Sequence, residues 1–157
     1  MGDYRTRAIV PGDLETICRH REEMFADAGW DRAGLQTMTA AFREWVRPRL
    51  GDGSYFGWIT EVDAEAVAGL GMLILDWPPH ALHPAHSRRA YVLNVFVEPQ
   101  HRRKGLAAEL MERAREETLR RGITLMALHA TPKGRELYRK LGWTESSEMF
   151  LRLPGTR

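Results

Sequence analysis

The most constraining stretch of the chain is the junction over residues 91–108. Tyr91-Val92-Leu93-Asn94-Val95-Phe96-Val97 is followed by Glu98-Pro99-Gln100-His101-Arg102-Arg103-Lys104-Gly105 and then by Leu106-Ala107-Ala108. A run that is apolar and β-branched at nearly every position fits a strand covered on both faces. The sequence after the turn predicts a helix, with Leu106, Ala107, Leu110, Met111, Ala114 and Thr118 on one side. That helix ends at Arg120-Arg121-Gly122, where positive charge and a glycine suit a C-terminus. A doubly covered strand leading through a basic turn into an amphipathic helix sets a mixed α/β plan.

The remaining elements agree with that plan. Residues 4–10 read as a strand, Pro11-Gly12 breaks it, and Asp13 is placed to N-cap a helix. Leu14, Ile17, Cys18, Arg21 and Phe25 fall on one face of that helix, which stops near Gly29. A second helix is expected over 35–47, ended by Pro48 and Gly51-Asp52-Gly53. Strands follow at 54–62 and 66–75, with Asp63-Ala64-Glu65 as a hairpin link. After a Pro/His-rich loop and the 91–97 strand and its helix come a strand at 124–130, a short helix opened by Thr131-Pro132 and closed by Gly142, and a last strand at 144–153. The order is β-α-α-β-β-β-α-β-α-β in one domain of 157 residues. The longest strongly apolar stretch, 66–75, is too short to span a membrane, and the N-terminus lacks the apolar core of a signal peptide. A single cysteine, Cys18, excludes an internal disulfide framework and makes the cytoplasm the expected compartment. A net charge of +2 gives no case for nucleic-acid binding. The helix after the basic turn carries Glu109, Glu112, Glu116 and Glu117, which would repel phosphates.

The turn itself suits an anion. The first turn of a helix has free N–H groups and a partial positive charge. Gly105 allows a phosphate to approach the backbone closely, and Arg102, Arg103 and Lys104 add charge around it. A solvated basic turn before an ordinary helix is the plainer alternative. Neither a G-x-x-x-x-G-K-[ST] nor a G-x-G-x-x-G stretch is present, so a P-loop and a dinucleotide fold have no support.

A second signal lies downstream, in Leu137-Tyr138-Arg139-Lys140-Leu141-Gly142-Trp143. Here the chain resembles the GNAT family, the Gcn5-related N-acetyltransferases. The family pattern Q/R-x-x-G-x-G/A matches Arg102-x-x-Gly105-x-Ala107, and the L-Y-x-x-x-G-[FW] ending matches Leu137-Tyr138 through Gly142-Trp143. The resemblance is specific over about residues 90–153. It implies a GNAT-type mixed sheet of about six or seven strands flanked by about four helices, and it implies acetyl-CoA as co-substrate. The pyrophosphate would rest on backbone amides of Arg103, Lys104, Gly105, Leu106, Ala107 and Ala108, with Arg102 completing the motif. The pantetheine would pair like an extra strand with Val95, Phe96 and Val97, in a gap where that strand splays from the next. An amide near Val95 would polarise the thioester carbonyl, and Tyr138 would act as general acid toward the departing sulfur.

The implied reaction is acetyl transfer to a primary amine by direct attack in a ternary complex. A non-catalytic acyl-CoA-binding module of the same fold is the alternative. The general base stays open among His129, Glu148 and water, with Asn94 as an orienting group. His129 also reads as a hydrogen-bonded core residue, and Glu98 as a solvent-facing start of the turn. Thr131 stands where many family members carry an asparagine against the cofactor, and reads as a helix cap. The acceptor is a small-molecule or peptide amine of unspecified identity, with Trp30 and Trp77 as candidate walls. The His80, His83 and His86 loop is expected to be a surface loop or lid, and no metal is expected. An exposed C-terminal strand offers an edge to a second copy, which makes a homodimer one option and leaves the oligomeric state open.

Overall fold

The computed structural model describes residues 2–155. Five strands form one sheet in the order β1 (Arg5–Ala8), β2 (Phe56–Val62), β3 (Glu65–Asp76), β4 (Arg88–Val97) and β5 (Met126–Leu128). The first four are antiparallel neighbours, and β5 lies parallel to β4. The β2–β3 hairpin turns on Asp63 and Ala64, both at positive φ (49° and 65°). That is the twist a two-residue hairpin requires.

Helices α1 (Leu14–Asp27) and α2 (Arg32–Asp52) cover one face of the sheet. Ile17, Cys18, Phe42, Val46, Leu50 and Tyr55 close a core there, against Leu73 and Leu93. Helix α3 (Leu106–Arg120) covers the other face. Its Leu106, Leu110, Met111 and Ala114 pack on Leu70, Met72, Ala90 and Val92. The alternation of Met72 with Leu73 and of Val92 with Leu93 is the strand period that separates the two cores. A short helix, α4 (Arg135–Lys140), follows β5.

The α/β plan and the element order through α4 match the sequence expectation, with three departures. Helix α2 runs through Pro48 to Asp52 rather than stopping at 47. Val46 and Leu50, four residues apart, are both buried in the α1/α2 core, and that burial outweighs the bond the proline removes. Strand β5 has three residues rather than the seven of 124–130. The last expected strand, 144–153, pairs with nothing among the described residues, so the sheet has five strands rather than six or seven. Met149, Phe150, Leu151 and Leu153 in that segment are all more than three-quarters exposed.

Asp13 sits at the N-cap of α1, but its carboxylate accepts from Val10 N–H at 2.8 Å and from both Nη atoms of Arg7 at 2.9 Å. It fastens the chain before the helix rather than capping the helix itself. Among the described residues no helix is long and apolar enough to cross a membrane.

Candidate active site

The site begins with a fault in β4. Across the β3–β4 ladder Gly71 faces Leu93 and Gly69 faces Phe96, so Leu70 alone opposes both Asn94 and Val95. This is a β-bulge, and Asn94 holds it at φ 57°, a left-handed conformation that asparagine tolerates better than most residues. The extra residue resets the side-chain alternation. Ala90 and Val92 face α3 before the bulge, and Val95 and Val97 pack on that core after it. Asn94 turns to the α1/α2 side, where its Nδ2 donates to Tyr55 Oη at 2.8 Å and its Oδ1 accepts from Arg21 Nη1 at 2.7 Å.

The bulge also marks where the sheet opens. Strand β5 pairs with β4 only at Ala90, Tyr91 and Val92. Past that point, among the described residues, 93–97 of β4 have no strand on their β5 side. Backbone N–H and C=O groups along such an edge are free to pair with an extended ligand. Val95, Phe96 and Val97, the expected pantetheine partners, lie on this open length.

Directly after it comes the basic turn. A 3-10 turn over Pro99–His101 leads to Arg103 at φ 60° and Gly105 at φ 81°, which N-caps α3. The first main-chain bond of α3 is Glu109 N–H to Gly105 C=O, at 3.0 Å. The amides of Leu106, Ala107 and Ala108 precede it and have no helical carbonyl to reach. Its chain neighbours aside, no atom lies within 4 Å of where a Cβ would stand on Gly105, so the space over this glycine is open. Arg103 and Lys104 are exposed beside it. Arg102 is committed elsewhere: its Nε donates to Val97 C=O at 2.9 Å and its Nη2 pairs with Asp27. It ties the turn to β4 and α1 rather than offering a free cation.

Tyr138, on α4, packs on the α3-side core together with Val95, Val97 and Leu128, with Trp143 beside its ring at 6.1 Å between centroids. Its hydroxyl has no partner among the described residues. Burial alone pushes the phenol up to about 12, so it holds its proton across the physiological range. Thr131 shapes the approach to α4: its Oγ1 accepts from Gly134 N–H at 3.3 Å, a structural role, and the helix proper begins at Arg135.

The other groups named from the sequence take different places. Tyr91 Oη is hydrogen-bonded to Nδ1 of His129, the residue after β5. His129 is exposed, not the core residue that its place on a strand suggests. Burial, with Glu148 nearby, raises Tyr91. Glu98 pairs with Arg19 on α1 instead of facing solvent alone. Trp30 is exposed and meets Phe25 edge-on at 6.3 Å, and Trp77 is covered by the Arg89 guanidinium at 4.0 Å. In the histidine loop His83 is buried, with Nδ1 bonded to His86 C=O at 2.9 Å, while His80 Nδ1 accepts from Leu82 N–H at 3.1 Å. Among the described residues no three side chains converge as metal ligands.

The family model for the acetyltransferase (GNAT) family matches residues 15–143. The chain belongs to the GNAT family. The GNAT fold is confirmed by a GCN5-related N-acetyltransferase from Ralstonia eutropha JMP134. That structure is 44% identical and superposes with a TM-score of 0.95, over 98% of this chain and 100% of that one. A predicted acetyltransferase from Clostridium acetobutylicum, solved with acetyl-CoA, is 23% identical with a TM-score of 0.81, over 97% and 96% of the two chains. An aminoglycoside acetyltransferase from an uncultured soil sample is 22% identical with a TM-score of 0.73, over 98% and 99%. No curated protein matches the chain.

Within this GNAT domain the fold brings the expected residues to one continuous feature. The open edge at Val95–Val97 runs into the free amides of 106–108, and Tyr138 packs on the core they share. Arg102 ties the turn between them to β4 and α1. Sequence reasoning did not single out Arg21 and Tyr91, which are hydrogen-bonded to Asn94 and His129. The signal for Arg21 was present: a charged residue in the middle of the apolar stripe of α1.

Proposed function

We propose that this protein is an acetyl-CoA-dependent N-acetyltransferase that acts on a primary amine by direct attack. The observation that carries the reading is the continuity of the site. An unpaired strand edge, a bulge beside it and a helix N-terminus with three free amides lie in sequence along one path. The residues fit acetyl-CoA: an extended amide-bearing arm suits the edge, and a diphosphate suits amides flanked by Arg103 and Lys104 with open space over Gly105. When bound, acetyl-CoA supplies the activated acetyl group as a thioester.

The chain's own residues then do the following. The amides of 103–108 and the β4 edge hold the co-substrate in register. A bulge amide at Val95 donates to the carbonyl oxygen as negative charge builds there. The amine nitrogen forms a bond to the carbonyl carbon while the carbon–sulfur bond breaks. Tyr138 gives its hydroxyl proton to the departing sulfur and recovers one from solvent. The proton lost by the amine leaves toward the exposed His129–Tyr91 pair or through water.

A pure binding module has no use for an unbonded phenol held protonated at this place, and Tyr138 therefore favours the enzyme. The test is release of CoA from acetyl-CoA across a panel of amines, read with a thiol reagent. Cys18, the single protein thiol, is 1% exposed, and burial raises its pKa, so the reagent reports CoA alone. Amine-dependent release supports the enzyme. Tight acetyl-CoA binding with no release for any amine leaves the binding module.

Residues 144–155 and the outer edge of β5 support a second part of the reading. The segment exposes Met149, Phe150, Leu151 and Leu153, and β5 is an edge strand. We propose that two copies pair through these segments, which covers the apolar side chains and gives β5 a neighbour.

A further inference from the structure

Arg21 is set apart from the arginines around it. Arg19, Arg32, Arg43 and Arg102 each meet a carboxylate, on Glu98, Glu23, Glu15 and Asp27. Arg21 meets none. Its Nη1 donates to Asn94 Oδ1 at 2.7 Å. Its Nε is buried with no partner, and Nη2 has no acceptor among the described residues. The guanidinium carbon lies 5.0 Å from the centre of the Phe25 ring and 4.8 Å from that of Phe42. Its remaining neighbours, Tyr55, Tyr91 and Asn94, are neutral groups. Glu148, whose charge acts on Tyr91, makes no ion pair with Arg21.

A guanidinium taken partly out of water without a counter-ion is costly. Aromatic faces and one amide oxygen compensate it only in part. Nε is shut in by the protein, whereas Nη2 has no acceptor among the described residues and is not buried, so it is free to donate to a carboxylate oxygen. Its location gives that donor a use. Asn94, to which Arg21 is bonded, is the bulge residue itself, next to the open edge of β4 where the thioester would lie. An amine that approaches this edge from the α1/α2 side comes up on the side of the sheet where Arg21 stands.

We propose that Arg21 binds a carboxylate of the acceptor, and that the acceptor is a small amino carboxylate whose amine and carboxylate are a few bonds apart. This rests on the acetyl-transfer reading and narrows it. A polycationic acceptor meets repulsion from Arg21, and the acids of α1 that would attract it are already paired.

The experiment compares amino carboxylates, α, β and γ, each with its own carboxamide, at saturating acetyl-CoA. In the wild-type chain kcat/KM for the acid is expected to exceed that for the amide by about 10- to 100-fold, the size of a charged hydrogen-bonded contact. Arg21→Gln is expected to bring the ratio near one, and Arg21→Lys to restore part of it. Acetyl-CoA affinity measured by calorimetry is expected to be unchanged in both variants. Equal rates for acid and amide in the wild type overturn the inference whether or not a variant folds. So does turnover confined to amines without a carboxylate, or a preference that survives in Arg21→Gln. A wild-type chain that binds no acetyl-CoA removes the underlying reading, and this inference with it.

Discussion

Tyr138→Phe isolates one oxygen atom. The ring it leaves behind keeps its packing on Trp143 and on the α3-side core, and the hydroxyl has no bond within the described chain to lose. The change in folding stability is therefore expected within about 0.5 kcal/mol. Acetyl-CoA affinity should also hold, because the edge of β4 and the amides of α3 are untouched. What disappears is the proton for the leaving sulfur. General acid catalysis contributes about 100- to 10,000-fold, which is about 2.7–5.4 kcal/mol of barrier at 1.36 kcal/mol per tenfold. The loss should fall on kcat. Burial that pushes the phenol to about 12 disfavours the phenolate, so wild-type kcat should show no loss of this acid as pH rises to about 10. The assay is steady-state CoA release with calorimetry on the same preparations. A kcat within a few fold of wild type, or equal losses in kcat and in affinity, would refute the acid role.

Three further expectations follow from the packing. His20 is buried with Nε2 unpartnered, and burial, with the Arg19 charge, lowers it from 6.5 to about 4. The unfolded chain binds a proton as pH falls through about 6.5 and the folded chain does not until about 4. Stability is full above 6.5 and declines toward pH 4 by roughly 3 kcal/mol, a slope that urea titrations should find reduced in His20→Leu. A Cβ on Gly57 would collide with the main-chain carbonyl of Leu70, at φ 147°, so Gly57→Ala should cost about 3 kcal/mol or more, or abolish folding, by the same titrations. Deletion of residues 148–157 should convert a dimer to a monomer in sedimentation equilibrium; an unchanged dimer would place the interface elsewhere.

The strand–turn–helix at 91–108 was legible because three local rules agreed there: a doubly buried strand, a glycine at positive φ and an amphipathic helix. The bulge was not, since side-chain period cannot show a phase slip in a run where both faces are apolar. Asn94, the one polar residue in that run, was its trace. Pro48 misled because the local cost of proline says nothing of what Leu50 gains by reaching the core. Arg102 matched the motif, yet its charge is spent on Asp27 and Val97, a pairing set by the approach of α1 that no local pattern reveals. The 144–153 segment has the composition of a strand, and composition cannot say whether an edge is there to receive it.

Main-chain amides along the β4 edge and at the start of α3 are the groups proposed to grip acetyl-CoA. At 18.0 kDa the protein suits amide-resolved NMR titration. Adding CoA should move the backbone amide signals of Val95, Phe96 and Val97 and of residues 103–108 most, with those of the α1–α2 connection little changed. Shifts centred elsewhere, or none at millimolar CoA, would contradict that proposal.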